Sequence, residues 1–385
     1  MRAATPAIVT WWAALAVLAY TYAGYPLAVW AWSRLRPRPV HRAPVEPRVS
    51  ILLAAYNEEA QVAARIRNLL QLDYPRSRLE VLVASDGSSD HTLAEARATA
   101  SAGVRVFGFA ERGGKPRALN ALADRARGDV LVFTDARQRF EPGTLRALVA
   151  AFADEDVGGV SGELLLVADP DQPGIGEAVS LYWRYEKWIR RAESRVHSTV
   201  GATGAIYAIR RRLFRPLPED TLLDDVLVPM GVVAQGKRVV FEGAARAYDR
   251  AAATAGQEFT RKARTLAGVF QLLARHRWML HPARNPLFLQ TVSHKGLRLL
   301  TPLALALALA SNLALLASPF YRACLAAQLA FYAAAAGGHL CPDRRRPALL
   351  ALPYLVCVLA WATVVGFLRF ARNRQAVTWR RVAEG

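Results

Sequence analysis

A small set of side chains in the middle of the chain has the chemistry to bind phosphate, hold a cation or move a proton: Asp86, Lys115, Asp135, the pair Asp224-Asp225, and Arg264. Asp135 follows Val130-Leu-Val-Phe-Thr134, an apolar run that reads as a buried strand and delivers a carboxylate to the sheet edge, where open α/β sheets bind ligands. Asp86 ends a second such run and precedes Gly87, so it either accepts hydrogen bonds from a base or ribose or simply shapes a turn. Asp90 reads as the cap of the next helix. Lys115 follows Gly113-Gly114 at a helix start, where a cation opposes the helix dipole unless an anion is present. The GxxxxGK[ST] spacing of a P-loop is absent. Ala54-Ala55-Tyr56-Asn57-Glu58-Glu59 joins a strand to a helix; its amides suit an anion or a ribose, and Asn57 equally suits an N-cap. Asp224 fits a capping role at a helix start, whereas a proton-accepting Asp225 has to reach a hydroxyl within hydrogen-bond distance.

These residues need a frame. Residues 49–54, 80–85, 104–107 and 130–134 read as strands, separated by helical patterns at 58–72, 90–102 and 115–127. Strand and helix in turn imply right-handed crossovers and a mostly parallel sheet. Residues 157–167 and 200–209 read as further strands, 174–195 as an amphipathic helix carrying Trp183 and Trp188, and 257–276 as a basic helix.

Apolar residues make up 53% of the chain, with mean hydropathy +0.13, and they pile up at both ends. Residues 8–32 form an apolar run of spanning length that retains Trp11, Trp12 and several tyrosines and ends in Arg34, Arg36 and Arg38, so it reads as a retained transmembrane helix with the following domain cytoplasmic. Runs at 299–317, 323–340 and 349–368 are also of spanning length. Lys295 and Arg298 before the first, and Arg344 to Arg346 after the second, obey the positive-inside rule. The third breaks it, because crossing puts Arg369, Arg372, Arg374, Arg380 and Arg381 outside; a re-entrant run, a hidden crossing or a failure of the rule are all open. Net charge is +19, and 45 of the 50 basic residues are arginine, the other five being lysine. No basic stripe interleaved with aromatics and no DNA-binding motif accompanies that charge, which excludes nucleic acid as the expected partner and leaves membrane and phosphate. Cys324, Cys341 and Cys357 lack metal spacing and read as small core residues.

Four strings, Ser50-Ile-Leu-Leu-Ala-Ala-Tyr-Asn-Glu-Glu, Ala84-Ser-Asp-Gly-Ser-Ser-Asp, Gly114-Lys-Pro-Arg-Ala-Leu-Asn120 and Phe133-Thr-Asp-Ala, resemble in order and spacing the nucleotide-binding half of family 2 glycosyltransferases with a GT-A fold. The resemblance implies that Ala55, Tyr56 and Glu58 lie at the uridine and its ribose, that Asp86 meets the base, that Lys115 lies near the nucleotide, and that Asp135 leads a DxD-type site for Mg2+ or Mn2+. Gly201-Ala-Thr-Gly-Ala-Ile-Tyr-Ala-Ile-Arg-Arg211 is similar to the family's acceptor strand, which puts Thr203 and Gly204 beside the incoming hydroxyl. Thr221-Leu-Leu-Asp-Asp-Val226 is similar to its acidic helix start, which makes Asp225 the base with Asp224 beside the acceptor. Arg261-Lys-Ala-Arg-Thr265 falls where membrane-bound processive members carry QxxRW. Arg264 keeps the arginine that neutralises the leaving diphosphate, while Arg261 and Thr265 replace the glutamine and the tryptophan.

The expectation is therefore an α/β GT-A catalytic domain at 48–275, after a transmembrane helix (1–36) and a Pro- and Arg-rich linker (37–47). An interfacial segment (276–298), about three transmembrane helices (299–370) and a basic tail (371–385) follow. The resemblance implies an inverting enzyme of a bacterial-type inner membrane that moves a sugar from a UDP-sugar to a lipid-linked or polysaccharide acceptor. The alternatives are a processive synthase of a β-linked polymer and a non-catalytic nucleotide-sugar-binding subunit of an export assembly. Asp135-Ala136-Arg137 places a cation in the second position of DxD: Arg137 either turns away to Glu141 or Asp129, or contacts phosphate itself.

Overall fold

The computed structural model describes residues 4–167, 177–250, 255–341 and 346–376. Among the described residues eight strands form one sheet in the order β3-β2-β1-β4-β7-β6-β8-β5: β1 (Val49–Ala55), β2 (Leu79–Asp86), β3 (Val104–Phe109), β4 (Val130–Thr134), β5 (Arg139–Phe140), β6 (Val157–Val167), β7 (Tyr207–Arg210) and β8 (Arg238–Arg250). β1 pairs in parallel with both β2 and β4, and β2 with β3. The order reverses at β1, so β1 and β4 end side by side at a topological switch point, the crevice where such sheets bind ligands. Every residue of β1 and β4 is buried, which is why both read as mostly apolar runs, broken in β1 only by Ser50, rather than as alternating ones. β7 then enters antiparallel between β4 and β6.

The strand expected at 200–209 is shorter than that. The chain turns at Gly201, whose φ is +87°, and only Tyr207–Arg210 joins the sheet. Glycine reaches that conformation without a steric penalty, so the preceding residues form a loop at the sheet edge instead of a strand.

Two membrane-type helices precede the sheet: α1 (Ala4–Ala19) continues through a π-turn into α2 (Tyr25–Leu35). Within the catalytic region α3 (Glu59–Leu70), α4 (Thr92–Thr99), α5 (Lys115–Arg125), α6 (Thr144–Ala150), α7 (Glu177–Val196), α8 (Asp224–Ala234) and α9 (Ala255–Arg275) cover the sheet or flank its edge. One apolar cluster joins Ile51, Leu53, Val81 and Val132 to Val62, Ile66 and Leu148 on one face. A second joins Leu52, Leu82 and Phe133 to Leu119, Leu122 and Met230 on the other. Each strand thus gives alternate residues to opposite cores.

The linker is fastened to the domain. Arg38 N–H donates to Arg195 O at 2.7 Å, and the Arg238 guanidinium donates to the carbonyls of Arg38 and Pro39 at 2.9 and 3.3 Å.

After α9, the short α10 (Phe288–Gln290) runs through π and 3-10 turns into α11 (Thr301–Leu313); α12 (Pro319–Leu340) and α13 (Ala348–Ala371) follow. Among the described residues four helices are long and apolar enough to cross a membrane: Thr5–Leu35, Phe288–Leu313, Pro319–Leu340 and Leu349–Ala371. The first C-terminal one begins at Phe288 rather than at Leu299, because Ser293, His294, Lys295 and Arg298 turn their polar groups toward the protein and do not interrupt the helical path. α13 is one continuous helix, not a re-entrant hairpin. Phe367 and Phe370 lie 5.2 and 6.1 Å from Phe270, so the C-terminal end of α13, with Arg369, packs beside α9. Arg344, Arg345, Arg380, Arg381 and the basic tail beyond Ala376 lie outside the described residues. The three cysteines are free and half-buried on the apolar helices or at their ends, and Cys324 packs against the cluster of Trp11, Ala14, Ala304, Ala308 and Leu315.

Candidate functional site

The carboxyl ends of β1, β2 and β4 bring Tyr56, Asp86 and Asp135 to one edge. Ala55 is buried in the last turn of β1, and the Arg112 guanidinium lies 3.6 Å above the Tyr56 ring. Asn57 has φ +52° and spends its side chain on Ser89, with Oδ1 accepting from Ser89 N–H at 2.9 Å, so it does not cap α3. The first amides of that helix are already met from the neighbouring loop: Glu58 N–H donates to Thr92 Oγ1 at 2.7 Å and Glu59 N–H to Asp90 Oδ2 at 3.3 Å. The junction therefore offers side chains rather than free amides, contrary to the anion-binding expectation. Asp90 also accepts from Thr92 N–H at 2.9 Å, as a residue capping the start of α4 does.

Asp86 is 1% exposed, and its two oxygens accept from the amides of Gly113 (2.9 Å) and Gly114 (2.7 Å). Its observed work is to hold the glycine loop in place. Gly87, at φ +62°, lets that loop close: a Cβ there would lie 2.5 Å from Arg112 N. The loop ends at Gly114 with φ +89°, and α5 starts with Lys115. Asn120 of the same string braces α5, exchanging two 2.8 Å hydrogen bonds with the backbone of Leu217.

Lys115 is the centre of the site. Its Nζ lies 2.8 Å from Asp135 Oδ1 and 3.3 Å from Asp224 Oδ2. Burial lowers its proton affinity, but Asp135 and Asp224 outweigh that and hold it raised, so the ammonium is fixed as a cation. Asp224 Oδ2 also faces the Tyr207 hydroxyl at 3.4 Å, and Tyr207 stacks on Phe133 with ring centroids 4.4 Å apart. Asp224 thus looks into the site and makes no side-chain cap to α8, the bland role its position suggested.

Asp225 follows in the first turn of α8. Burial, then the Asp224 charge, push its carboxyl up to about 6, against the pull of Lys115, Lys295 and Arg190. The loop before β7 is clasped to it: Ala202 N–H donates to Asp225 O at 2.7 Å, and a Cβ on Gly204 would lie 3.1 Å from Asp225 Oδ2. Thr203 is buried, with its N–H on Ser161 Oγ at 3.0 Å and its Oγ1 accepting from Arg190 at 2.7 Å. Arg264, on α9, is held down by desolvation and up by the fields of Asp224, Asp135 and Asp225, so it lies in electrostatic reach of all three carboxylates.

Arg137 is exposed, and among the described residues no ion pair joins it to Glu141 or Asp129; Glu141 is engaged by Tyr248 and by Arg246 at 4.0 Å. Among the described residues no three His, Cys, Asp or Glu side chains form a metal-type group. Asp135 and Asp224 do converge on one ammonium, which stands where a second cation would meet the same two carboxylates. The donor set therefore fits a divalent ion that takes most of its ligands from phosphate and water.

Sequence reading passed over Tyr207, Arg65, Arg190 and Lys295. Arg65 is 2% exposed behind Asp135, donating to Thr134 Oγ1 at 2.7 Å and lying 4.1 Å from the centre of the Phe140 ring. Burial lowers it to about 9, against the field of Asp135. The legible signal was an arginine on the apolar face of α3. Lys295 and Arg190 gave none, because their elements meet the site only in the fold.

Residues 50–217 match the family model described as Glycosyl transferase family 2. The beta-monoglucosyldiacylglycerol synthase of Trichormus variabilis is 39% identical over 118 residues, 30% of this chain and 25% of that protein. The probable glycosyltransferase YdaM of Bacillus subtilis is 31% identical over 137 residues, 31% of this chain and 30% of that protein. The chain thus spans about a quarter to a third of the length of these curated relatives. A solved structure of the mannosyltransferase PcManGT from Pyrobaculum calidifontis, in complex with GDP-Man and Mn2+, superposes with a TM-score of 0.71 over 94% of this chain and 98% of that one, at 24% identity. The architecture is therefore shared along nearly the whole chain, while the sequence match ends just before Asp224. Residues 50–217, with Asp86, Lys115 and Asp135 at the sheet edge, are thus similar to glycosyl transferase family 2, and the fold is GT-A.

Proposed function

We propose that this chain is an inverting glycosyltransferase, held in a bacterial-type inner membrane by its four long apolar helices with the catalytic domain cytoplasmic. It passes a sugar from a UDP-sugar to a hydroxyl of a lipid-linked or saccharide acceptor. The observation that carries this reading is the convergence of Lys115, Asp135, Asp224, Asp225 and Arg264 at the switch point of the sheet. The nucleotide lies over Tyr56 and Glu58, with the Asp86-braced glycine loop beside it. Lys115 and Arg264 are fixed cations facing the diphosphate, and Asp135 would hold a divalent ion, Mg2+ or Mn2+, which would supply further charge neutralisation. Asp225 takes the proton of the acceptor hydroxyl as its oxygen bonds to the anomeric carbon. The bond from that carbon to the diphosphate oxygen breaks, and its electron pair leaves on the nucleoside diphosphate. A base with a pKa near 6 is ionised at neutral pH and still basic enough to share a proton in the transition state.

Single transfer is favoured over processive synthesis. Thr265, in the position of the motif tryptophan, is exposed and donates its hydroxyl to Arg261 O at 3.0 Å, so no aromatic floor stands there. The diacylglycerol-linked product named for the Trichormus relative supports a lipid acceptor. The test is a donor screen with purified full-length chain in lipid, measuring nucleotide release with and without EDTA. Release from UDP-sugars that EDTA suppresses is expected. Release confined to other nucleotides overturns the donor, indifference to EDTA overturns the metal, and release from none overturns the transferase.

A further inference from the structure

Behind the base, the catalytic domain is locked to the apolar helices by a buried polar cluster. His294 Nδ1 faces Glu193 Oε1 at 2.8 Å and His294 Nε2 faces Glu186 Oε2 at 3.1 Å. The Tyr25 hydroxyl donates to Glu193 Oε1 at 2.6 Å, and the Arg298 guanidinium donates to Glu186 Oε1. Glu186 and Glu193 of α7 are therefore engaged by His294, Arg298 and Tyr25. Two cations of the same neighbourhood are left over. Among the described residues, no carboxylate lies within 4.0 Å of Lys295 Nζ or of the Arg190 guanidinium, and the polar partner of Arg190 is Thr203 Oγ1. Both cations act on Asp225, and they act on each other as like charges. Lys295 lies beside a small apolar cleft formed by Val200, Val226, Leu272, Met279 and Thr291. Glu186 and Glu193 act on Lys295 from beyond ion-pair distance, so holding two half-buried cations within electrostatic reach of each other stays costly until an anion arrives.

Lys115 and Arg264 already face the donor side, so a second positive site near Asp225 and Thr203 serves the other substrate. Lys295 belongs to the helix Phe288–Leu313, which is long and apolar enough to enter a membrane, so an anion at its ammonium sits where a lipid headgroup does. We propose that Lys295 and Arg190 bind a phosphate group on the acceptor, which makes the acceptor a phosphate-bearing lipid whose nucleophilic hydroxyl lies toward Asp225. This rests on the transferase reading above and names its substrate class. Guanidinium and ammonium together give a forked and a point-charge contact to phosphate oxygens.

The experiment is a binding titration of dodecyl phosphate to the full chain in neutral detergent, with UDP binding measured on the same samples. Wild type is expected to bind, Lys295→Met and Arg190→Gln to bind about tenfold or more weakly, and Lys295→Arg to retain binding. UDP affinity is expected to stay unchanged in all of them. Displacement by inorganic phosphate at equal concentration assigns the site to free phosphate, and displacement only in large excess assigns it to a lipid headgroup; either supports the phosphate site. Equal dodecyl phosphate affinity in wild type, Lys295→Met and Arg190→Gln overturns it. If that equality comes with intact UDP binding and sugar release, the transferase reading survives alone. If dodecyl phosphate binding depends on Lys295 but no nucleotide binds, the phosphate site survives and the transferase reading falls.

Discussion

Replacing Asp225 with asparagine separates stability from turnover. The side chain is nearly isosteric and keeps the close approach to Gly204, but it cannot take a proton. In the folded chain the carboxyl titrates near 6, against 3.8 as its ordinary value, so between those limits the folded state binds more protons than the unfolded one. Stability from this group is present at low pH and is lost as pH rises through about 6. At 1.36 kcal/mol per unit, the ionised carboxylate costs the fold at most about 3 kcal/mol above that pH, less where solvent reaches its edge. Asp225→Asn is thus expected to melt higher than wild type at pH 8, with the gap closing toward pH 4, while sugar transfer falls by roughly 10²–10⁴. Wild-type kcat/KM should rise with pH through about 6 and level off. The assays are thermal melts of the full chain across pH and nucleotide release from the donor found in the screen. A stability gap that does not change with pH refutes the burial argument, and an unimpaired variant refutes the assignment of the base.

Lys115→Met leaves Asp135 and Asp224 facing each other without their shared ammonium, so nucleotide affinity should fall about tenfold or more in a direct titration. Gly204→Ala puts a methyl 3.1 Å from Asp225 Oδ2; kcat should drop while nucleotide affinity stays the same, as separate binding and rate measurements would read. Gly87→Ala meets both an unfavourable φ of +62° and a 2.5 Å approach to Arg112 N, a cost on the order of 1–3 kcal/mol or more, seen as a lower melting temperature.

Much of this was written locally. The strands ending at Ala55, Asp86 and Thr134 were legible because strands buried on both faces are mostly apolar, and the polar residues at or just after their ends mark the ligand edge. The glycines at 87 and 114 announced turns that only glycine makes easily, and the long apolar helices are set by composition. Other features belong to no single stretch. Asp86 reads equally as a base or ribose contact and as a turn residue, and only the fold shows its oxygens accepting from Gly113 and Gly114, 27 and 28 residues on. Asp224 reads as a cap, yet it turns to Lys115 and Tyr207, which lie on α5 and β7. That the C-terminal end of α13 packs on α9 is visible only in the fold. Lys295 and Arg190 meet Asp225 only after the apolar helices dock on α7 through His294. Burial patterns and backbone conformations are short-range and therefore written in the sequence. Which cation faces which carboxylate is a long-range Coulomb relation, and only the folded chain fixes the distances on which it depends.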